Sequence, residues 1–234
     1  MINLQTAPRW WRMLMSLFAM AFPYWLMRSG LFRFPWTFVV IILFILIWAW
    51  VARIRPGQLG FVKIGRPLKW IGSVLLIALL LELLMDWLIQ PGINRIFNEV
   101  PDYSYFNSLQ GDLPRYLRML AFMLISAAAG EELLFRSFMF YHLEQLLPPG
   151  RWRSVLVCLI PALLFGWAHA YEGTAGVVVT GIWGLLFGVI YLRSRNIWLL
   201  MAVHACIDIV FLTLAYTGRL SYYELPGRLI WGQY

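Results

Sequence analysis

Ionisable side chains stand where the surrounding sequence is apolar: Glu82, Asp86, Glu131, Glu132, Arg136, His169, His204 and Asp208. Inside a membrane span each such residue costs at least about 2.5 kcal/mol on insertion scales, so residues of this kind usually mark function. In Ala127-Ala-Ala-Gly-Glu-Glu-Leu-Leu-Phe-Arg136 the side chains of Glu132 and Arg136 are four apart and share a helix face, where they can pair. Glu131 is turned about 100° away on a 3.6-residue helix. One Glu is thus structural and the other free. A desolvated carboxylate without a cation suits a general base near neutral pH. The plainer reading is that all three form one buried charge cluster that holds helices together.

The same i, i+4 spacing recurs twice. Phe165 and His169 share one face, as do His204 and Asp208, where a carboxylate beside an imidazole can fix its tautomer. Each alone reads equally well as hydrogen-bonded packing. Together, on separate spans whose polar residues turn inward, Glu131, His169 and His204 can meet in one cavity. Two His with one or two Glu supply either a hydrolytic site or a metal site. Glu82 and Asp86, like charges four apart, repel when both are ionised. They are read as lying near the outer interface with Trp87, or as a proton-sharing or substrate-gating pair. His142 reads as an interfacial residue with no catalytic part.

The elements that must position these groups are membrane spans. The chain is 62% hydrophobic and 13% charged, where a soluble domain is nearer a quarter charged. Phe34–Ala52 has no charge in 19 residues and Gly173–Leu192 none in 20, and about 20 apolar residues cross a bilayer. The expected fold is an all-α polytopic transmembrane bundle of seven or eight spans. They are placed at Trp10–Met27, which Pro23 interrupts, then Phe34–Ala52, Trp70–Ile89, Tyr116–Tyr141, Ser154–Tyr171, Gly173–Leu192 and Ile197–Thr217. Residues 1–234 read as one integral membrane domain, with N-terminal spans and an outer loop in 1–115 and motif-bearing core spans in 116–217. The largest loop, Gln90–Arg115, holds Glu99, Asp102 and Asp112 beside Tyr103, Tyr105 and Phe106. Gly184 and Gly188 make a small-residue packing face. Cys158 and Cys206 read as buried thiols.

Net charge of +8 follows from basic residues flanking the apolar runs, which excludes a nucleic-acid surface. Arg9, Arg12, Arg53, Arg55, Lys63, Arg66, Lys69, Arg151, Arg153, Arg193 and Arg195 fall on one side. Arg28, Arg33, Arg95, Arg115, Arg118, Arg219 and Arg228 fall on the other. The excess predicts a cytoplasmic N-terminus and an outside C-terminus, with no cleaved signal peptide. On this layout His169 lies farther out than Glu131, by up to ~10 Å at 1.5 Å per residue.

Glu131-Glu132-x-x-x-Arg136, Phe165-x-x-x-His169 and His204-x-x-x-Asp208, in that order over roughly Leu117–Ala215, resemble the CPBP family of CaaX-processing and bacteriocin-processing (Abi) intramembrane proteases. The resemblance implies peptide-bond hydrolysis in or near the bilayer. Glu131 would activate water, His169 would hold water or the reacting carbonyl, and His204 with the residue four on would stabilise the oxyanion. Glu132, Arg136 and Phe165 would support them. Many members carry Asn at the last position. Asp208 stands there here, and an ionised Asp cannot donate a hydrogen bond, so it is protonated or it orients His204. Both metal-free glutamic and zinc-dependent mechanisms are implied by the family. No H-E-x-x-H spacing is present, so no cofactor is favoured; if zinc is used, Glu131, His169 and His204 are its ligands. The partners implied are membrane lipid and a protein or peptide substrate, lipidated or membrane-anchored, in a prokaryotic cytoplasmic membrane. A proton-coupled transporter would also place Glu, His and Asp at mid-membrane, but no inverted repeat is visible. A non-catalytic scaffold or immunity protein is the third reading.

Overall fold

The computed structural model describes residues 7–232. Among them all regular structure is helical. Seven long helices follow in order: α1 (Arg9–Arg28), α2 (Trp36–Val51), α3 (Pro67–Phe97), α4 (113–146), α5 (Arg151–Ala168), α6 (Gly173–Ser194) and α7 (Ile197–Tyr216). A short α8 (Leu225–Trp231) closes the described chain. Boundaries carry their own chemistry. Asp112 accepts the Arg115 N–H at 3.0 Å at the start of α4, and Asn196 accepts the Leu199 N–H at 3.2 Å at the start of α7. Both are N-caps that satisfy otherwise orphaned donors.

Four of these helices are long and apolar enough to cross a membrane: α3, α5, α6 with its preceding turn, and α7. Seven spans do not follow from length and composition. α2 is apolar but has 16 residues, and α1 and α4 lie outside that set. α4 carries Arg115, Arg118, Glu131, Glu132, Arg136 and Glu144. Leu75, Leu76, Leu79 and Leu80 of α3 are each more than half exposed, a patch that suits lipid rather than water. Trp10, Trp36 and Trp152, near helix ends, are exposed as well, as an aromatic belt requires.

Three features differ from the sequence reading. α3 continues to Phe97, so part of the expected loop Gln90–Arg115 is helix; a π turn over Met85–Ile89 carries the chain past Pro91. α1 runs through Pro23 unbroken. His142 is not interfacial but fully buried, with Nδ1 3.0 Å from Ser16 Oγ, because α1 packs across the end of α4. The acids of the outer loop are tied down individually. Glu99 accepts the Thr174 and Ala175 N–H groups at 3.3 and 2.8 Å, which fastens the loop to the start of α6.

The tightest seam joins α5 to α6. A Cβ on Gly166 would lie 2.5 Å from the Val177 carbonyl oxygen, and one on Gly184 would lie 3.0 Å from Ala162 Cα. These backbones touch only because side chains are missing, the close-packing device expected of small residues. Gly166→Val is expected to force the helices apart at a cost of about 1–3 kcal/mol. The readout is a lower thermal unfolding midpoint in detergent. Gly72→Val, where nothing lies within 4 Å, should leave the midpoint unchanged.

Candidate functional site

The central part of α4, Leu124–Phe138, is wound as π-helix. Such wide turns are usually single and frequently lie at functional sites; here they extend over 15 residues that include the whole first motif. Gly130 allows α2 to approach, since a Cβ there would meet Phe38 at 2.6 Å.

Glu132 and Arg136 are 0% and 2% exposed. Arg136 donates to Glu132 Oε1 at 3.1 Å. The guanidinium lies 4.4 Å from the Phe165 ring centroid and 5.3 Å from that of Phe187, so aromatic faces of α5 and α6 complete its surroundings by cation–π attraction. Glu132 Oε1 also lies 2.8 Å from His204 Nδ1. A carboxylate only accepts, so Nδ1 carries the hydrogen and Nε2 is the atom offered to chemistry. His204 Nε2 stands 3.9 Å from Asp208 Oδ1, beyond hydrogen-bond range, which leaves it open to a third group. Glu132 Oε2 and Asp208 Oδ2 are buried without a partner among the described residues.

His169 ends α5. Its Nδ1 is 2.9 Å from the Phe165 carbonyl oxygen, and since a carbonyl only accepts, Nδ1–H is again fixed and Nε2 is free. Packing between α4 and α5 bears on the heights of Glu131 and His169. α4 and α5 run antiparallel and touch at Phe135 and Phe165, whose ring centroids are 5.1 Å apart. Glu131 stands four residues from that contact on α4 and His169 four residues from it on α5. The partly buried Glu131 carboxylate acts electrostatically on His204 and Asp208 of α7 and on Tyr171 and Glu172. His169 acts on Glu172 in turn.

Glu132 thus gathers Arg136 and His204, with Asp208 near His204 and Phe165 against Arg136. Sequence reasoning missed Glu172. It fell in the one-residue gap between two spans, and its signal was proximity to His169, three positions earlier. Asp86 is 8% exposed and buried in protein, not set at the interface. Among the described residues no group of three His, Cys, Asp or Glu side chains is gathered closely enough to hold a metal ion. Two surface hollows, of about 370 and 310 Å³, are lined by none of these residues; the site is a layer between helices.

Comparison with known families agrees with the motifs. Residues 113–210 match the family described as Rce1-like, type II CAAX prenyl endopeptidase. That segment is less than half the chain but holds every motif residue. No curated protein and no solved structure matches the chain.

Breaking a buried ion pair from one side costs about 3–5 kcal/mol, because the remaining charge stays buried. Arg136→Met should therefore reduce the yield of folded protein and its unfolding midpoint sharply. Loss of activity at unchanged thermal stability would show instead that Arg136 acts on substrate.

Proposed function

We propose that the protein is an intramembrane endopeptidase that hydrolyses a peptide bond of a membrane-associated protein or peptide. The observation that supports this reading is the Glu132 contact with both Arg136 and His204, beside a Phe135–Phe165 contact four residues from Glu131 and from His169, all inside the segment that matches a protease family. Glu131 takes a proton from water, and the resulting hydroxide attacks the scissile carbonyl. His169 Nε2 holds the water or the reacting carbonyl. His204, as an imidazolium held by Glu132, presents Nε2–H to the oxyanion, with Asp208 beside it. Collapse of the tetrahedral intermediate breaks the C–N bond, and Glu131 returns its proton to the leaving amine. Preorganised donors of this kind are usually the largest contribution to such catalysis. No step needs a metal, and a metal-free glutamic mechanism is our reading.

The finer organisation belongs to the same proposal. The seven long helices each cross the membrane. The basic excess places the N-terminus in the cytoplasm and the C-terminus outside, in a prokaryotic cytoplasmic membrane. The substrate carries a lipid or an apolar anchor, since it must reach a layer between helices.

Wild type and Glu131→Gln, purified in detergent, are to be incubated with short apolar-tailed peptides, with and without a zinc chelator, and products followed by mass spectrometry. Expected is cleavage by the wild type only, insensitive to chelator, with Glu131→Gln at least about 100-fold slower, the scale of a lost general base, and equally well folded. Cleavage lost with chelator and restored by zinc overturns the metal-free reading. A folded wild type that cleaves no peptide overturns the protease reading.

A further inference from the structure

No Asp or Glu precedes Glu82 in the chain, so the arginines that open α1 have no acidic neighbour along it. Arg9 and Arg12 are three apart and share a helix face, where like charges repel. Both line a surface hollow of about 370 Å³, whose other walls are Met13 and residues 145–149, the end of α4 and the turn after it. Arg9 is exposed and Arg12 partly buried. Arg12 Nε is buried without a hydrogen-bond partner among the described residues, and neither guanidinium forms an ion pair among them. Glu144, the acid that adjoins the opposite wall in sequence, is already engaged: its carboxylate meets Arg195 at 2.5 Å, and its carbonyl oxygen accepts from Arg153.

A buried guanidinium N–H is costly unless an acceptor meets it, and two unneutralised cations in one concavity favour an anion. The donor set selects phosphate, because the planar forks of arginine match phosphate oxygens in pairs. Gln145 brings an amide group to the rim. The surroundings select a lipid over a free ion. An apolar stripe runs from the hollow along α1, where Trp10, Met13, Leu14, Leu17 and Phe18 are each exposed by 41% or more. Such a surface suits acyl chains, and Trp10 is an interfacial residue by type. The hollow also lies on the side that holds the basic excess, and anionic lipids are concentrated in the cytoplasmic leaflet, where basic pockets between helices hold their headgroups.

We propose that this hollow binds the phosphate of an anionic glycerophospholipid, held by Arg9 and Arg12, with the acyl chains lying along the exposed stripe of α1. The bound phosphate bridges the start of α1 to the turn after α4. The site is independent of the protease reading, since none of the proposed catalytic residues lines it.

The test is native mass spectrometry of the detergent-purified protein, titrated with phosphatidylglycerol, phosphatidylcholine or inorganic phosphate. The wild type is expected to hold one phosphatidylglycerol more tightly than phosphatidylcholine. Arg9→Gln/Arg12→Gln should hold it about 25-fold more weakly, at about fivefold for each arginine near a membrane surface. Lys63→Gln/Arg66→Gln removes the same charge from two other exposed residues of the basic side and should retain the lipid as the wild type does. Both variants lower the net charge by two, so a difference between them is local. Equal retention of the two lipids by the wild type overturns the proposal, as does equal loss in the two charge-matched variants or undiminished retention in a folded Arg9→Gln/Arg12→Gln protein. Inorganic phosphate that displaces phosphatidylglycerol at equal concentration overturns the lipid assignment and makes this a free-phosphate site. Should Arg12→Gln not fold, Arg9→Gln alone is read in the same way, with a loss of about fivefold expected and undiminished retention overturning the proposal.

Discussion

One buried contact organises this molecule: Arg136 and His204 both meeting Glu132 Oε1, at 3.1 and 2.8 Å. Alone, a fully buried Glu or Arg in a membrane protein is prohibitively costly to desolvate. Their mutual pairing, with Phe165 and Phe187 against the guanidinium, makes the placement tolerable, and it does so only if α4, α5, α6 and α7 all arrive. The ion pair thus acts as a registry device. It sets how far α7 slides along α4, and so where His204 stands relative to Glu131. A shift of one helical turn, about 5.4 Å, would part His204 from Glu132.

The neighbouring Glu131 has a different fate from Glu132 because of a single step along the helix. Glu132 turns to Arg136 and is sealed; Glu131 is only partly buried, and no ion pair holds it among the described residues. Both histidines are prepared in the same way. Each has Nδ1 committed to an acceptor, the Phe165 carbonyl for His169 and the Glu132 carboxylate for His204, which leaves Nε2 available. The N-terminal helices contribute no motif, but they supply walls. Tyr24 donates to the Leu164 carbonyl and Arg28 to that of Ala168, so α1 braces the end of α5 that carries His169.

Much of this was legible in the sequence because buried charge is so costly that its spacing carries information. The i, i+4 intervals of Glu132–Arg136 and His204–Asp208 survive as contacts, though the second is only an approach at 3.9 Å. The helical class and the apolar segments followed from composition. What the sequence concealed depends on three-dimensional packing. A linear count of residues puts His169 well outside Glu131, whereas the Phe135–Phe165 contact ties their two helices together four residues from each. The π winding of α4 has no simple sequence signal. Asp86 was read as interfacial because Trp87 adjoins it, but the C-terminal segment, with Trp231 Nε1 donating to the Trp87 carbonyl, folds back over that region and buries it. His142 was misplaced for the same reason, since its cover comes from Ser16, 126 positions away.

The central claim is that Glu131 and His169 stand face to face across one reaction layer. Cross-linking measures this directly. In a protein whose two native cysteines are first replaced (Cys158→Ala, Cys206→Ala), the pair Glu131→Cys and His169→Cys is treated in membranes with a short bifunctional thiol reagent whose spacer is about the size of a bridging water. The linked peptides are then identified by mass spectrometry. Efficient linkage of 131 to 169, and none between 131 and a control His142→Cys, is the result this account predicts. A folded double variant that links only with long spacers, or not at all, would separate the two residues and contradict it.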